Sequence, residues 1–327
     1  MSTTRTVWIR RLLGWLVATV AIVFFVQRAV SNAAHIPHIR WDAAAGATAT
    51  ATVILPLIVV YLSAVIWQLL LRDQGIVRRN RDVFALFTVS QFGKYLPGNV
   101  GQFIGRVVMA RDIGIAIPAT LATMLTEVLW NVGTGLGLSA LAIYLFVGNK
   151  LTAFPPWLDT AGLGLGFLAL LAAPWIGITL LRRVFPGLVA RVFASSELRP
   201  PGWGTAIRVS SLYLANYLCM GMALSLQAKV FYGAPDIPLL EASGFCAMAW
   251  LAGYLLPGAP AGLGVREGLM LVLFSPMYGE STAIALGITL RLGAIAADVI
   301  AFALGWLARA RGRARNTSKT RGTHDAT

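Results

Sequence analysis

Long apolar stretches constrain this chain more than any local motif does. A helix crosses a bilayer with about 20 mostly apolar residues, and six stretches meet that length. Apolar residues form 57% of the 327 residues and charged ones only 12%, whereas soluble domains average about 25% charged. The sequence therefore predicts an all-α polytopic membrane protein with spans at 11–30, 50–71, 116–147, 161–181, 206–230 and 281–308.

Two further apolar stretches, 83–112 and 240–275, are interrupted near their middle by Pro97-Gly98 and Pro257-Gly258. Proline removes a backbone donor and clashes with the preceding turn, and glycine adds backbone freedom. Each stretch is therefore predicted to form two half-helices of about 12–17 residues, too short to span. We expect both stretches to be re-entrant hairpins, since irregular backbone at membrane depth needs protein or a watery cavity around it.

The basic residues predict the orientation. The net charge of +14 is concentrated before the first span, near 72–81, near 182–199 and in the tail, as positive-inside topology and contact with anionic lipid require. No nucleic-acid-binding motif accompanies this charge. We expect a bacterial-type cytoplasmic (inner) membrane, both termini in the cytoplasm and a disordered basic tail at 309–327. The alternative for residues 12–26, a cleaved signal peptide, is disfavoured by their length.

The two interruptions also predict an internal repeat. Pro257 follows Pro97 by 160 residues, as Arg266 follows Arg106. Three spans per half make the second half inverted relative to the first, giving repeats at 1–150 and 151–308. Inverted repeats with broken helices at matching positions are typical of transporters, with the site at the repeat interface and alternating access by rocking of one repeat against the other.

The candidate site consists of the two breaks and nearby ionisable residues. The first amides of a half-helix lack partners and attract phosphate, and intramembrane charges face partners or cavities. The alternatives are that the glycines only pack helices, that Lys94 extends to the cytoplasmic face, and that Glu127 pairs with Arg291 or Glu267 with an arginine to lock the halves. The candidate substrate-binding residues are Lys94, Pro97, Gly98, Asn99, Gly101, Gln102, Arg106, Glu127, Pro257, Gly258, Gly262, Gly264, Arg266, Glu267 and Arg291.

Other chemistry lacks the residues it needs. The three histidines fall in loops or the tail, and Cys219 and Cys246 lie in apolar stretches. A metal site or a structural disulfide is not expected from this pattern. No phosphate-binding GxxxxGK[ST] loop occurs. The sequence predicts no cofactor, no metal and no catalytic residues.

Residues 256–267, which end in Gly-Leu-Gly-Val-Arg-Glu, resemble the signature of the lysylphosphatidylglycerol synthase transmembrane (flippase-like) family, commonly Pro-x-Pro-Gly-Gly-hydrophobic-Gly-x-Arg-Glu. Residues 95–106 resemble its earlier Pro-Gly-x-x-Gly-Glu…Arg element. Glu127 and Arg291 also fall where the family often has a Glu and an Arg. The chain departs from the pattern at Ala261, where glycine is usual, and at Gln102, where glutamate is frequent.

The resemblance implies a flippase-like transporter that moves an anionic phospholipid or lipid-linked head group. The chain is similar to a short form without the soluble synthetase domain, so lysyl-lipid synthesis by this chain alone is not expected. The alternative is a membrane subunit or enzyme of lipid or lipid-linked sugar modification, working with a glycosyltransferase or aminoacyl-lipid synthetase partner. A small-anion transporter is a third hypothesis. The expected partners are membrane lipids. The sequence does not decide whether the chain forms a homo-oligomer.

Overall fold

The computed structural model describes residues 23–35, 37–96, 100–148, 172, 175–193, 199–256 and 259–324. All regular secondary structure in these ranges is helical, which confirms the predicted fold class. Short 3-10 turns lie at Ala33–His35, Phe92–Tyr95 and Pro260–Gly262. The helices are α1 (23–31), α2 (Ala43–Asp73), α3 (Asn80–Gln91), α4 (Gly101–Asp112), α5 (Ile117–Gly148), α6 (175–184), α7 (Pro186–Phe193), α8 (Trp203–Tyr232), α9 (Leu239–Leu255), α10 (Val265–Tyr278) and α11 (Glu280–His324).

Four helices in the described ranges are long and apolar enough to cross a membrane: α2, α5, α8 and α11. They correspond to four of the six predicted spans and confirm a multi-pass membrane protein. The predicted spans 11–30 and 161–181 lie mostly outside the described residues, apart from their helical parts in α1 and α6.

Both interrupted stretches fold as a pair of short helices. In the first hairpin (residues 80–112), α3 and α4 have 12 residues each. Arg78, just before α3, donates from Nε to the carbonyl oxygen of Ile113 (2.7 Å) and from Nη2 to that of Gly114 (2.6 Å). The hairpin therefore ends beside the point where it begins, as a re-entrant element must.

In the second hairpin (residues 239–278), α9 and α10 have 17 and 14 residues. The Phe245 and Phe274 rings pack edge to face across it, 5.8 Å between centroids. All four half-helices are shorter than the roughly 20 residues that a span requires.

The long helices pack across the hairpins at positions without side chains. A Cβ built on Gly244 of α9 would lie 2.6 Å from the Leu138 carbonyl oxygen of α5, and Ser139 donates to the Gly244 carbonyl oxygen (3.2 Å). A Cβ on Gly305 of α11 would lie 3.2 Å from the Ala85 carbonyl oxygen of α3. Small residues permit such close helix contacts in membranes. Thus α5, next to the first hairpin in sequence, packs on the second, while α11 contacts α3 as well as α10.

The basic segment predicted as a tail begins inside the last helix. Helix α11 continues through the basic segment to His324. Where it leaves the apolar region, Arg81 donates to the Ala308 carbonyl oxygen, and Arg309 pairs with Asp112 at 3.0 Å. These contacts hold this part of α11 against the base of the first hairpin.

Candidate functional site

The tips of the two hairpins contact each other inside the bundle. The 3-10 turn Phe92–Tyr95 of the first hairpin lies against the 3-10 turn Pro260–Gly262 of the second. In the first tip, the backbones of Gly93 and Gly101 touch, since a Cβ on Gly93 would lie 2.6 Å from the carbonyl carbon of Gly101. Only glycine permits this approach. The first tip is therefore closed by backbone against backbone, with the buried Gln102 in the first turn of α4 behind it.

The first tip is joined to α11 by an ion pair. Lys94 Nζ lies 2.7 Å from Asp298 Oδ2, and the Tyr95 hydroxyl donates to the same carboxylate at 2.6 Å. The Asp298 side chain is only 8% exposed. Lys94 therefore binds a buried carboxylate rather than extending to a membrane face.

Arg106 of α4 is nearly completely buried and pairs with Glu127 of α5. Its Cζ lies 4.2 Å from the centre of the Phe87 ring and 5.2 Å from that of Trp67, distances at which a cation is attracted to an aromatic face. The alternative that pairs Glu127 with Arg291 is not what the structure shows, because α4, not α11, places its arginine beside Glu127.

Arg291 of α11 instead contacts the second hairpin. Its Nη1 donates to the Ala261 carbonyl oxygen (3.0 Å) and lies 3.6 Å from Glu267 Oε1. The other Glu267 oxygen accepts from the Gly264 amide at the start of α10 (2.8 Å). The sequence predicted that amides at the start of this half-helix bind an anion. In the structure the Gly264 amide is instead capped by the Glu267 carboxylate of the same helix. The Nε and Nη2 atoms of Arg291 are buried without a hydrogen-bond partner.

Arg266 lies in a slot formed by two glycines. A Cβ on Gly253 would lie 2.6 Å from Arg266 Cγ, and a Cβ on Gly262 would lie 2.8 Å from its Nε. Its Cζ lies 5.3 Å from the Trp250 ring centre. No described residue forms an ion pair or a hydrogen bond with Arg266, and its buried Nε has no partner. Arg291 is close enough to repel it electrostatically.

Arg266 borders two adjoining cavities, of about 110 and 60 Å³, which together we call the central cavity. Larger depressions of 740 and 520 Å³ lie elsewhere and contain none of the predicted site residues. The central cavity is lined by Pro56, Val59, Val60, Ser63, Gln91, Lys94, Asn131, Tyr213, Asn216, Tyr217, Met220, Cys246, Ala249, Trp250, Arg266, Glu267, Met270, Gly287, Leu290, Arg291, Ala294 and Asp298.

The structure therefore brings the predicted charged residues to the hairpin tips and the helices around them. Pro97, Gly98, Asn99, Pro257 and Gly258 lie outside the described residues. Sequence reasoning missed the neutral side chains that line the cavity, because they stand in ordinary apolar helices. Asp298 had a signal, its charge inside a span, but nothing in the sequence indicated that Lys94, 204 residues away, would be its partner. Within the described residues, no cluster of three potential metal ligands occurs.

The sequence model of the family described as the lysylphosphatidylglycerol synthase TM region matches residues 11–305. The match includes both hairpins and all the candidate site residues. No curated protein matches the chain in a sequence search.

Proposed function

We propose that this chain, a member of the lysylphosphatidylglycerol synthase transmembrane family, is a flippase-like transporter that moves an anionic phospholipid or lipid-linked head group across the membrane. The phosphate binds at Arg266 and Arg291 in the central cavity, and the acyl chains stay in the bilayer. Membership of the family supports a role in lipid modification or movement. The cations beside the central cavity support binding of an anionic head group there.

One observation carries the proposal: two neighbouring guanidinium groups have unused buried donors beside a cavity. Arg266 and Arg291 together leave three buried N–H-bearing nitrogens without partners. A buried charge without a counter-ion is costly, and intramembrane charges usually mark a substrate or ion path. A phosphate neutralises this surplus and accepts charge-assisted hydrogen bonds from both groups. An anionic head group therefore fits this site.

The carboxylates favour transport over chemistry at the lipid. General acid–base catalysis requires a carboxylate that can reach a substrate proton. Glu127 is bound to Arg106, and Glu267 is bound to the Gly264 amide and to Arg291. Both carboxylates are therefore already paired in this structure. They give no support to the alternative, an enzyme or enzyme subunit that modifies a lipid.

The proposal includes the orientation and repeat structure. Residues 1–150 and 151–308 form two inverted repeats in a cytoplasmic membrane, with both termini in the cytoplasm. Under this topology the two hairpins enter from opposite faces and their tips meet midway, where the central cavity lies. A head group then reaches Arg266 from either side once the corresponding tip moves.

The test is lipid movement in proteoliposomes. A fluorescent phosphatidylglycerol is incorporated, and its transfer between leaflets is followed by its accessibility to an impermeant quencher. Arg266→Gln keeps a polar side chain and removes the charge, so we expect the rate to fall by about a hundredfold, the loss expected for a charged hydrogen bond worth about 3 kcal/mol.

Arg208→Gln is the matched control, since Arg208 is exposed on α8 and, within the part of the chain that the structure describes, its hydrogen bond goes to the Gly204 carbonyl oxygen of its own helix. Its rate should equal that of the unmodified protein. Undiminished movement in both Arg266→Gln and Arg291→Gln would overturn the assignment of the phosphate site.

A further inference from the structure

The charges that line the central cavity do not balance. Among the described residues that line it, three carry a positive charge, Lys94, Arg266 and Arg291, against the two carboxylates of Glu267 and Asp298. Both carboxylates are occupied: Asp298 by Lys94 and the Tyr95 hydroxyl, Glu267 by Arg291 and the Gly264 amide. The surplus charge is that of Arg266, and one phosphate compensates it.

An ammonium group on the same head group finds no free counter-ion here. In the described residues, every carboxylate that lines the cavity already accepts from a cation and from a second donor. A cationic head group would have to displace one of these contacts and approach Arg266 and Arg291 as well. Like charges in a poorly solvated site repel strongly.

The rest of the polar lining is neutral. Asn216 presents a buried carbonyl oxygen without a hydrogen-bond donor, while its amide nitrogen donates to Ser63 at 3.2 Å. Asn131 and Gln91 carry further amides, and the Tyr217 hydroxyl donates to Asn131 at 2.9 Å. Amides and hydroxyls both donate and accept, which matches the hydroxyl groups of a ligand.

From this lining we infer that the head group beyond the phosphate is uncharged and hydroxyl-bearing, of the glycerol type, and that an aminoacylated, cationic head group is excluded. The inference rests on the proposed function and names the substrate class of the same site. Asn216 is its specificity-determining residue, since its unpaired carbonyl oxygen accepts from a head-group hydroxyl.

The test compares two lipids that share the phosphate and differ in the charge beyond it. Proteoliposomes carry either fluorescent phosphatidylglycerol or its lysyl ester. The unmodified protein should move phosphatidylglycerol at least about tenfold faster, because of the repulsion between like charges. Equal or faster movement of the lysyl ester would overturn the inference and leave the proposed function standing. Movement of neither lipid would overturn the proposed function, and the inference with it.

A gain-of-function variant tests the same point from the other side. Asn216→Asp preserves shape and adds a carboxylate without a cationic partner, so movement of the lysyl ester should rise by about tenfold and that of phosphatidylglycerol should fall. Asn131→Asp also adds a carboxylate to the cavity lining, and its oxygen can still accept from the Tyr217 hydroxyl. This second variant serves if Asn216→Asp fails to fold. If folded variants leave the preference between the two lipids unchanged, this cavity does not select the head group.

Discussion

The two hairpins carry the same sequence pattern, a Pro-Gly break followed by an arginine, but use it differently. In the first hairpin the arginine has its own carboxylate, Arg106 with Glu127, and the glycines bring backbone against backbone. In the second, Arg266 has no partner among the described residues, and the glycines make room for its side chain. A shared motif thus provides an arginine with its own counter-ion in one half and an arginine without one among the described residues in the other.

The sharpest test of this comparison is to remove the two arginines separately. Arg106→Gln leaves Glu127 buried without its cation, and the free energy of unfolding should fall by about 3–5 kcal/mol. Arg266→Gln breaks no ion pair, so stability should be unchanged or slightly higher. Thermal unfolding in detergent measures both.

The double variant Arg106→Gln with Glu127→Gln is the control, because it removes both charges and should recover most of the lost stability. Equal stability losses from the two single arginine variants would contradict the division into an arginine with a counter-ion and an arginine without one.

A second pair of substitutions compares the glycines. Gly101→Ala would place a Cβ against the Gly93 carbonyl oxygen, and backbone cannot move aside, so we expect a loss of about 2–3 kcal/mol. Gly253→Ala would meet chiefly the flexible side chain of Arg266, so the loss should be about 1 kcal/mol. Head-group movement in this variant should nevertheless fall, because the guanidinium group is displaced from the cavity.

Gly46→Ala on α2, with open space around the new methyl group, should leave head-group movement unchanged and raise the free energy of unfolding by no more than about 1 kcal/mol, the usual gain from replacing a helical glycine. The comparison fails if Gly253→Ala destabilises the protein as much as Gly101→Ala and leaves transport intact.

The smallest expected effect concerns Ala261, which stands where the family pattern has glycine. Its φ is +49°, in the left-handed region, which costs a non-glycine residue about 1 kcal/mol or more. Ala261→Gly removes this strain but adds entropy to the unfolded chain, worth about 0.4–1 kcal/mol. Stability should therefore rise by less than about 1 kcal/mol, as a small increase in unfolding temperature. A clear loss of stability would show that the buried methyl group contributes more through packing than the strain costs.

The sequence allowed the breaks and the charged residues to be predicted because both violate the apolar pattern. A Pro-Gly pair disfavours a continuous helix more strongly than proline alone, and α4 and α10 begin within eight residues of positions 97 and 257. Arg106 and Arg266 stood out for the same reason.

The partners could not be predicted, because they depend on which faces of the helices meet. Glu127 lies on a helix that faces α4, so it binds Arg106 and leaves Arg291 to Glu267. Helical periodicity in an apolar span is weak, since lipid and protein both accept apolar side chains.

The packing of α5 on the second hairpin and of α11 on the first has a mechanical consequence. The two sequence halves interlock, so a rigid pivot of residues 1–150 against 151–308 would have to separate Gly244 from Leu138 and Gly305 from Ala85. These contacts involve backbone atoms, which cannot yield by rotating a side chain. Each hairpin tip is held to α11 by side-chain contacts, Lys94 and Tyr95 with Asp298 and Arg291 with the Ala261 carbonyl oxygen. Because these side chains can exchange partners, we expect motion at the hairpin tips rather than between the two halves.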